Sequence, residues 1–198
     1  MKLIIINGPS GSGKTTLSNQ IIEKIKNGIV LSTDNYYKTG FITKLLSKLV
    51  EGYFDRSISF NYRLFKKDFY FILKNGISIN ERSYNFEKKT ITNLSKEKNN
   101  IQFLIVEGIF AKEFANTLCN QNIFFFELKI NKNECMRRVV ERDFKERGKA
   151  KKKAESDFLK SWKIYYKKFQ NKKIKNNKYE FTITKNTNID HILKKILN

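Results

Sequence analysis

The 198-residue chain is 40% hydrophobic and 14% aromatic, with 17 Phe. That is enough apolar material for one compact domain with a real core, and it excludes a disordered chain. The formal net charge of +21 raises a polynucleotide or acidic surface as partner, but the 33 lysines are scattered rather than gathered on one face, and 22 Asn and 24 Ile against 7 Arg and 1 Pro follow the bias of AT-rich codons, so no nucleic acid is expected.

Cys119 and Cys135 lack metal-ligand spacing and His191 stands alone, so no zinc set forms and both thiols are read as reduced. The apolar run before the first glycine is far too short for a signal peptide or a membrane span. A cytoplasmic protein with no membrane partner is the expectation.

Along the chain, residues 2–6 form a continuous β-branched run, the pattern of a central parallel strand covered on both faces. Gly8 to Gly13 then turns into a helix over 14–26, with Leu17, Ile21, Ile22 and Ile25 on one face. A short strand over 29–31 ends just before Asp34 and completes a βαβ unit. Residues 60–73 carry Leu64, Phe65, Phe69 and Leu73 at helical spacing, and Gly76 stops that helix. Residues 77–79 and 90–92 are read as a small antiparallel pair.

Further buried strands are predicted over 101–106 and 123–128. Residues 134–153 are dense in Arg and Lys with few apolar positions, which predicts an exposed, mobile helix pair. Phe158, Trp162, Tyr165 and Phe169 recur at helical spacing and are assigned to packing. A last strand over 181–184 and a helix over 189–197 close the chain. Strands alternating with helices imply an α/β domain with a mostly parallel sheet and right-handed crossovers.

Gly8-Pro-Ser-Gly-Ser-Gly-Lys14-Thr15 matches GxxxxGK[ST], set between an apolar strand and an amphipathic helix. Glycines there let backbone N–H groups face phosphates, and the helix N-terminus adds positive potential. Lys14 is expected to contact the β and γ phosphates of ATP and Thr15 to ligate Mg²⁺. Glu107 emerges at the carboxyl end of its strand, where α/β sheets bind ligands, and is a second candidate for Mg²⁺. Asp34, placed likewise after the second strand, can orient or accept the proton of an attacking hydroxyl, or it can serve a turn with Asn35. Arg137, Arg138, Arg142 and Arg147 are four of the seven arginines. In a lysine-rich chain their clustering suggests bidentate phosphate contact, with Asp143 and Glu146 as the alternative partners of a solvated charge network.

Together these motifs resemble the uridine kinase branch of the P-loop kinases, which also includes phosphoribulokinase and bacterial pantothenate kinase relatives. Gly8 to Ser18 looks like its ATP loop, Thr33-Asp-Asn-Tyr-Tyr37 is similar to its catalytic Asp-Ser-Phe-Tyr segment, and Val106-Glu-Gly-Ile109 resembles its Val-Glu-Gly-Ile strand end. Phe54-Asp55 followed by Phe60-Asn61 looks like Phe-Asp-His-Pro-Asp-Ala-Phe-Asp, and Arg142-Asp through Glu146-Arg-Gly148 like the lid motif Arg-Asp-x-x-Glu-Arg-Gly.

The resemblance implies a P-loop NTPase three-layer sandwich over 1–198, with an acceptor-binding insert at about 53–94 and a helical Arg-rich lid at about 134–153. ATP would lie on Gly8, Pro9, Ser10, Gly11, Ser12, Gly13, Lys14, Thr15 and Thr16. Asp34 becomes the base, Asp55 the ribose contact, Arg138 a sugar or phosphate contact, and Arg142 and Arg147 the lid arginines. Tyr37, Tyr84, Phe86 and Lys89 fall to the acceptor.

The chain departs from the family at two points. Arg56 and Ser57 replace His-Pro after Asp55, and Lys89 stands where the base-binding histidine belongs. The implied reaction is transfer of the γ-phosphoryl of Mg-ATP to a small-molecule hydroxyl, ideally the 5′-hydroxyl of uridine or cytidine. Pantothenate, a sugar phosphate or another riboside remains open as acceptor, as does an ATP-driven nucleic-acid-binding module and a homo-oligomeric state.

Overall fold

The computed structural model describes residues 1–118, 123–169 and 177–197. Its centre is a five-stranded, wholly parallel sheet in the order β2-β5-β1-β6-β7. The strands are β1 (Lys2–Asn7), β2 (Gly28–Ser32), β5 (Phe103–Glu107), β6 (Ile123–Leu128) and β7 (Asn177–Ile183). β1 reads as an unbroken apolar run because it feeds two cores. Leu3 and Ile5 pack on one face with Leu104, Val106 and Phe125, whereas Ile4 and Ile6 pack on the other with Ile105 and Phe126.

The second face is covered by α1 (Lys14–Lys24) through Leu17 and Ile21, and by α7 (Ile189–Leu197) through Ile192, Leu193 and Ile196. The first is covered by α3 (Tyr62–Asn75) through Phe65, Phe69 and Ile72, by α4 (Ala111–Ala115) through Phe114, and by Tyr165 of α6 (Lys151–Phe169). Three layers result, with the carboxyl ends of the strands open on one edge for ligands. α3 starts at Asn61, whose side chain accepts from the Leu64 amide at 3.1 Å, and stops at Gly76 with φ of 67°.

Two expectations need correction. The hairpin is longer than predicted: β3 (Ser78–Asn85) pairs with β4 (Thr90–Lys98) so that residues 90–92 face 83–85, not 77–79. Its outer face is charged and solvated, so hydrophobic alternation did not reveal its length. The basic segment is not simply exposed either. α5 (Lys132–Arg147) buries Cys135 and Val139 against Phe158 of α6, and the two helices meet at Gly148, φ 60°. Phe158 and Tyr165 of the aromatic stripe are buried as packing residues, whereas the Phe169 side chain lies outside the described residues, as does Cys119. α2 (Phe41–Leu49) was not anticipated.

Candidate active site

The P-loop joins β1 to α1. Gly11 and Gly13 take φ of 78° and 93°, a region that side chains rarely adopt. A Cβ on Gly11 would also collide with the Cys135 carbonyl oxygen and lie 2.9 Å from Val139, so α5 rests directly on the loop. Lys14 is buried, and its Nζ donates to the Pro9 carbonyl at 3.0 Å. Burial pushes its ammonium pKa down, while the carboxylates of Glu107 and Asp34 pull it back up. Thr15 and Thr16 open onto solvent in the first turn of α1.

Glu107, the last residue of β5, is 3% exposed. Its carboxyl pKa is raised, first by burial and then by Asp34, against the opposing pull of Lys14 and hydrogen bonds from the Ser32 and Thr15 side chains. Thr15 and Glu107 thus meet, although 92 positions apart, because β1 and β5 are paired neighbours. Gly108 follows with φ of 133°, where a Cβ would strike the Thr33 hydroxyl.

Asp34 lies in the single 3₁₀ turn Thr33–Asn35 after β2, capped by Ser32. Its Oδ1 is buried and has no hydrogen-bond partner, as is Ser12 Oγ in the loop. Native proteins rarely leave such atoms unpaired. Lys14, Glu107, Tyr37, Asp55 and Arg147 all lie within the electrostatic reach of Asp34.

Asp55 sits in the 3₁₀ turn Tyr53–Asp55 and accepts from Ser161 Oγ of α6 at 2.5 Å. Burial pushes its pKa up to about 6, with the Ser161 bond resisting and Asp34 adding to the rise. A small cleft runs from Pro9 and Ser10 to Asp55, Ser161, Trp162 and Tyr165. It connects the loop to the predicted acceptor region.

Tyr37 packs edge-on against Phe54 and Phe86, with ring centroids 5.1 and 5.4 Å away, and burial drives its pKa well above the usual value. Tyr84 is a framework residue, its hydroxyl donating to the Lys38 carbonyl at 3.2 Å and its pKa raised by burial to about 12. Phe86 is half-buried, and the Arg147 guanidinium lies 4.7 Å from its ring centre. Lys89 reaches back over the Phe54 ring at 4.8 Å and donates to the Phe86 carbonyl.

On α5, Asp143 is buried and takes Arg142 at 2.9 Å, Arg147 at 3.3 Å and Lys149 at 3.2 Å. Asp143 thus gathers cations as the alternative charge network expected, but as a buried and not a solvated carboxylate and without an ion pair from Glu146 among the described residues. Arg138 sits on the P-loop, donating to the Gly11 carbonyl at 3.3 Å and pairing with Glu134 at 2.5 Å, rather than in the acceptor cleft. Sequence reasoning missed Ser161, 106 positions from its partner Asp55, and Ser32. Nothing in their local sequence distinguishes them from surface serines.

The parallel sheet with a P-loop at its open edge, a carboxylate after each of two neighbouring strands and an arginine-bearing helix across the loop define a P-loop kinase. The sequence profile of the phosphoribulokinase / uridine kinase family matches residues 3–190, and the chain belongs to that family. The uridine kinase of Borrelia duttonii (strain Ly) is 32% identical over 171 residues, covering 85% of this chain and 80% of that protein. The uridine kinase of Ureaplasma parvum serovar 3 (strain ATCC 27815) is 30% identical over 154 residues, covering 75% and 72%. Among solved structures, a possible uridine kinase from Bacillus stearothermophilus superimposes with a TM-score of 0.59 at 14% identity, over 91% of this chain and 88% of that one. Among the described residues no helix is long and apolar enough to cross a membrane.

Proposed function

We propose that the chain transfers the γ-phosphoryl of Mg-ATP to the 5′-hydroxyl of a riboside, with uridine and cytidine as the first candidates. The observation that carries this reading is the unpartnered, buried Oδ1 of Asp34 beside the P-loop lysine. The residues fit the nucleotide and its metal: the left-handed glycines, the desolvated Lys14 ammonium and the unpaired Ser12 hydroxyl suit phosphate oxygens. Thr15 and Glu107 would hold Mg²⁺, which when bound neutralises charge on the phosphates.

Asp34 orients the attacking hydroxyl and accepts its proton. Lys14, Arg142 and Arg147 offset charge that develops on the transferring group. Asp55 accepts from the two ribose hydroxyls across the cleft from the loop. Arg138 braces α5 on the P-loop, so that closing the lid and excluding water engage the loop together.

The test is ADP release with uridine, cytidine and 2′-deoxyuridine. Losing one ribose hydroxyl leaves the Asp55 carboxylate partly unpaired, which costs about 1 to 3 kcal/mol. Deoxyuridine is expected to fall below uridine by roughly 5- to 150-fold in kcat/KM; equal rates would remove Asp55 from the acceptor site, and no turnover on any of the three would reject the riboside.

The raised pKa of Asp55 adds a pH dependence. Only the carboxylate accepts two hydrogen bonds, so the acceptor KM is expected to rise as pH falls from 7 through about 6. The unfolded chain releases this proton at lower pH, so the same group costs stability as pH rises from about 3.8 to about 6. A KM that is flat between pH 5 and 7, or that rises only above 7, would contradict the assignment.

A further inference from the structure

The acceptor region is polarised. Two carboxylates, Asp34 and Asp55, stand beside the loop; Arg147 and Lys149 lie within their electrostatic reach, and Lys89 of the hairpin lies beyond, next to those two cations. Arg142, Arg147 and Lys149 share the single buried carboxylate of Asp143, and Lys149 also reaches Asp157 at 3.3 Å. Lys89 forms no ion pair among the described residues. Its ammonium is held by the Phe86 carbonyl and the Phe54 ring, half-buried, and it feels the like charges of Lys149 and Arg147.

The backbone bears on the same point. Lys89 closes the β3–β4 turn with φ of 55°, a left-handed position that glycine or asparagine takes more readily. Its neighbour Lys88 points to solvent, whereas Lys89 turns inward. A half-buried cation on a strained backbone among other cations is a local cost of the kind found at ligand sites. Lys89 and Arg147 also lie over neighbouring rings, 4.8 Å from the centre of Phe54 and 4.7 Å from that of Phe86. Lysine further offers three donors and no acceptor, which suits an anionic oxygen better than an amide edge.

We infer that the acceptor carries a carboxylate or a phosphate at its end remote from the reacting hydroxyl, and that Lys89, supported by Arg147 and Lys149, is the specificity-determining residue that reads it. The inference rests on the kinase reading above for the location of the site, and it replaces the neutral first candidates, uridine and cytidine, with an acceptor of anionic class.

The experiment is equilibrium titration followed by the fluorescence of Trp162, which lines the cleft and is the sole tryptophan of the chain. Two matched pairs serve as probes: uridine against orotidine, which adds a carboxylate, and ribitol against ribitol 5-phosphate. At low salt the anionic member of at least one pair is expected to bind about tenfold or more tightly than its neutral partner, with the advantage shrinking as salt rises. The responding pair tells carboxylate from phosphate. Lys89→Gln should bring the ratio of anionic to neutral affinity to about one, and Lys89→Arg should restore most of it.

Equal or tighter binding of the neutral member in both pairs would overturn the inference. So would an anion preference unchanged in Lys89→Gln. Tight anion binding without ADP release in the presence of ATP would instead count against the kinase reading alone. If Lys89→Gln does not fold, Lys89→Arg and the salt dependence of the unmodified protein decide in the same way.

Discussion

Lys14→Ala is expected to lower ATP-dependent phosphoryl transfer by about 10³ or more while leaving a folded protein. Lys14 is the buried cation of the P-loop, and its ammonium donates to the Pro9 carbonyl. Removing it eliminates a desolvated ammonium, so little native stability is lost. It also leaves Glu107 and Asp34 without their shared counter-charge. The Glu107 carboxyl then protonates more readily, which weakens metal binding there in addition to the lost phosphate contact. Thermal unfolding and ADP release measured on the same preparation separate these effects: a Tm near that of the unmodified protein with turnover reduced to background is the expected pair. Turnover within tenfold of the unmodified protein would mean that phosphate is not bound at this loop.

Asp34→Asn is expected to lower turnover by about 10² or more with nucleotide affinity nearly unchanged. The amide keeps the shape of the side chain and can occupy the same turn, since the Ser32 cap acts on the Asp34 backbone amide rather than on its carboxylate. What disappears is the acceptor Oδ1 and a negative charge felt by Lys14, Glu107, Tyr37, Asp55 and Arg147. Losing that charge should lower the pKa of Asp55, so the pH at which the acceptor KM begins to rise should move down as well. A rate equal to that of the unmodified protein would reduce Asp34 to a turn residue. A loss confined to KM would make it a binding group and not the proton acceptor.

The framework of the sheet was legible because buried parallel strands write themselves as uninterrupted apolar runs. β6 was placed residue for residue, and β1 to within one. The P-loop, Asp34 and Glu107 could be positioned for a related reason, since residues just after parallel strands collect at one edge of the sheet. What failed to read were elements whose side chains do little core packing. The hairpin carries Glu81, Lys96 and Glu97 on its solvated surface, and its apolar packing on the core comes from Tyr84, Phe86 and Ile91. α2 exposes Phe41, Ile42, Leu45 and Leu49, and it buries only Thr43, so its periodicity points away from the rule that apolar faces turn inward. Contacts such as Ser161 with Asp55 and Arg138 with Gly11 join chain segments more than a hundred positions apart. Their chemistry is carried by the packing of α5 and α6, which no local pattern encodes.

The close approach of Gly108 to Thr33 has a consequence for how this site can vary. β2 and β5 are adjacent, and their ends carry Asp34 and Glu107. The two backbones approach so closely that a hydrogen at position 108 is all the Thr33 hydroxyl leaves room for. A single methyl there would wedge apart the turns that hold the two carboxylates. Shrinking Thr33 to alanine would remove the hydroxyl but leave its Cβ 3.0 Å from the new methyl, and it would not supply the backbone freedom that φ of 133° requires. Positions 33 and 108 therefore behave as one unit of inheritance: a side chain at 108 can arise only on a background that has already lost the hydroxyl at 33 and moved the turn. Engineered libraries that vary the two strand ends independently should yield mostly inactive members, and those that vary them together a small number of survivors.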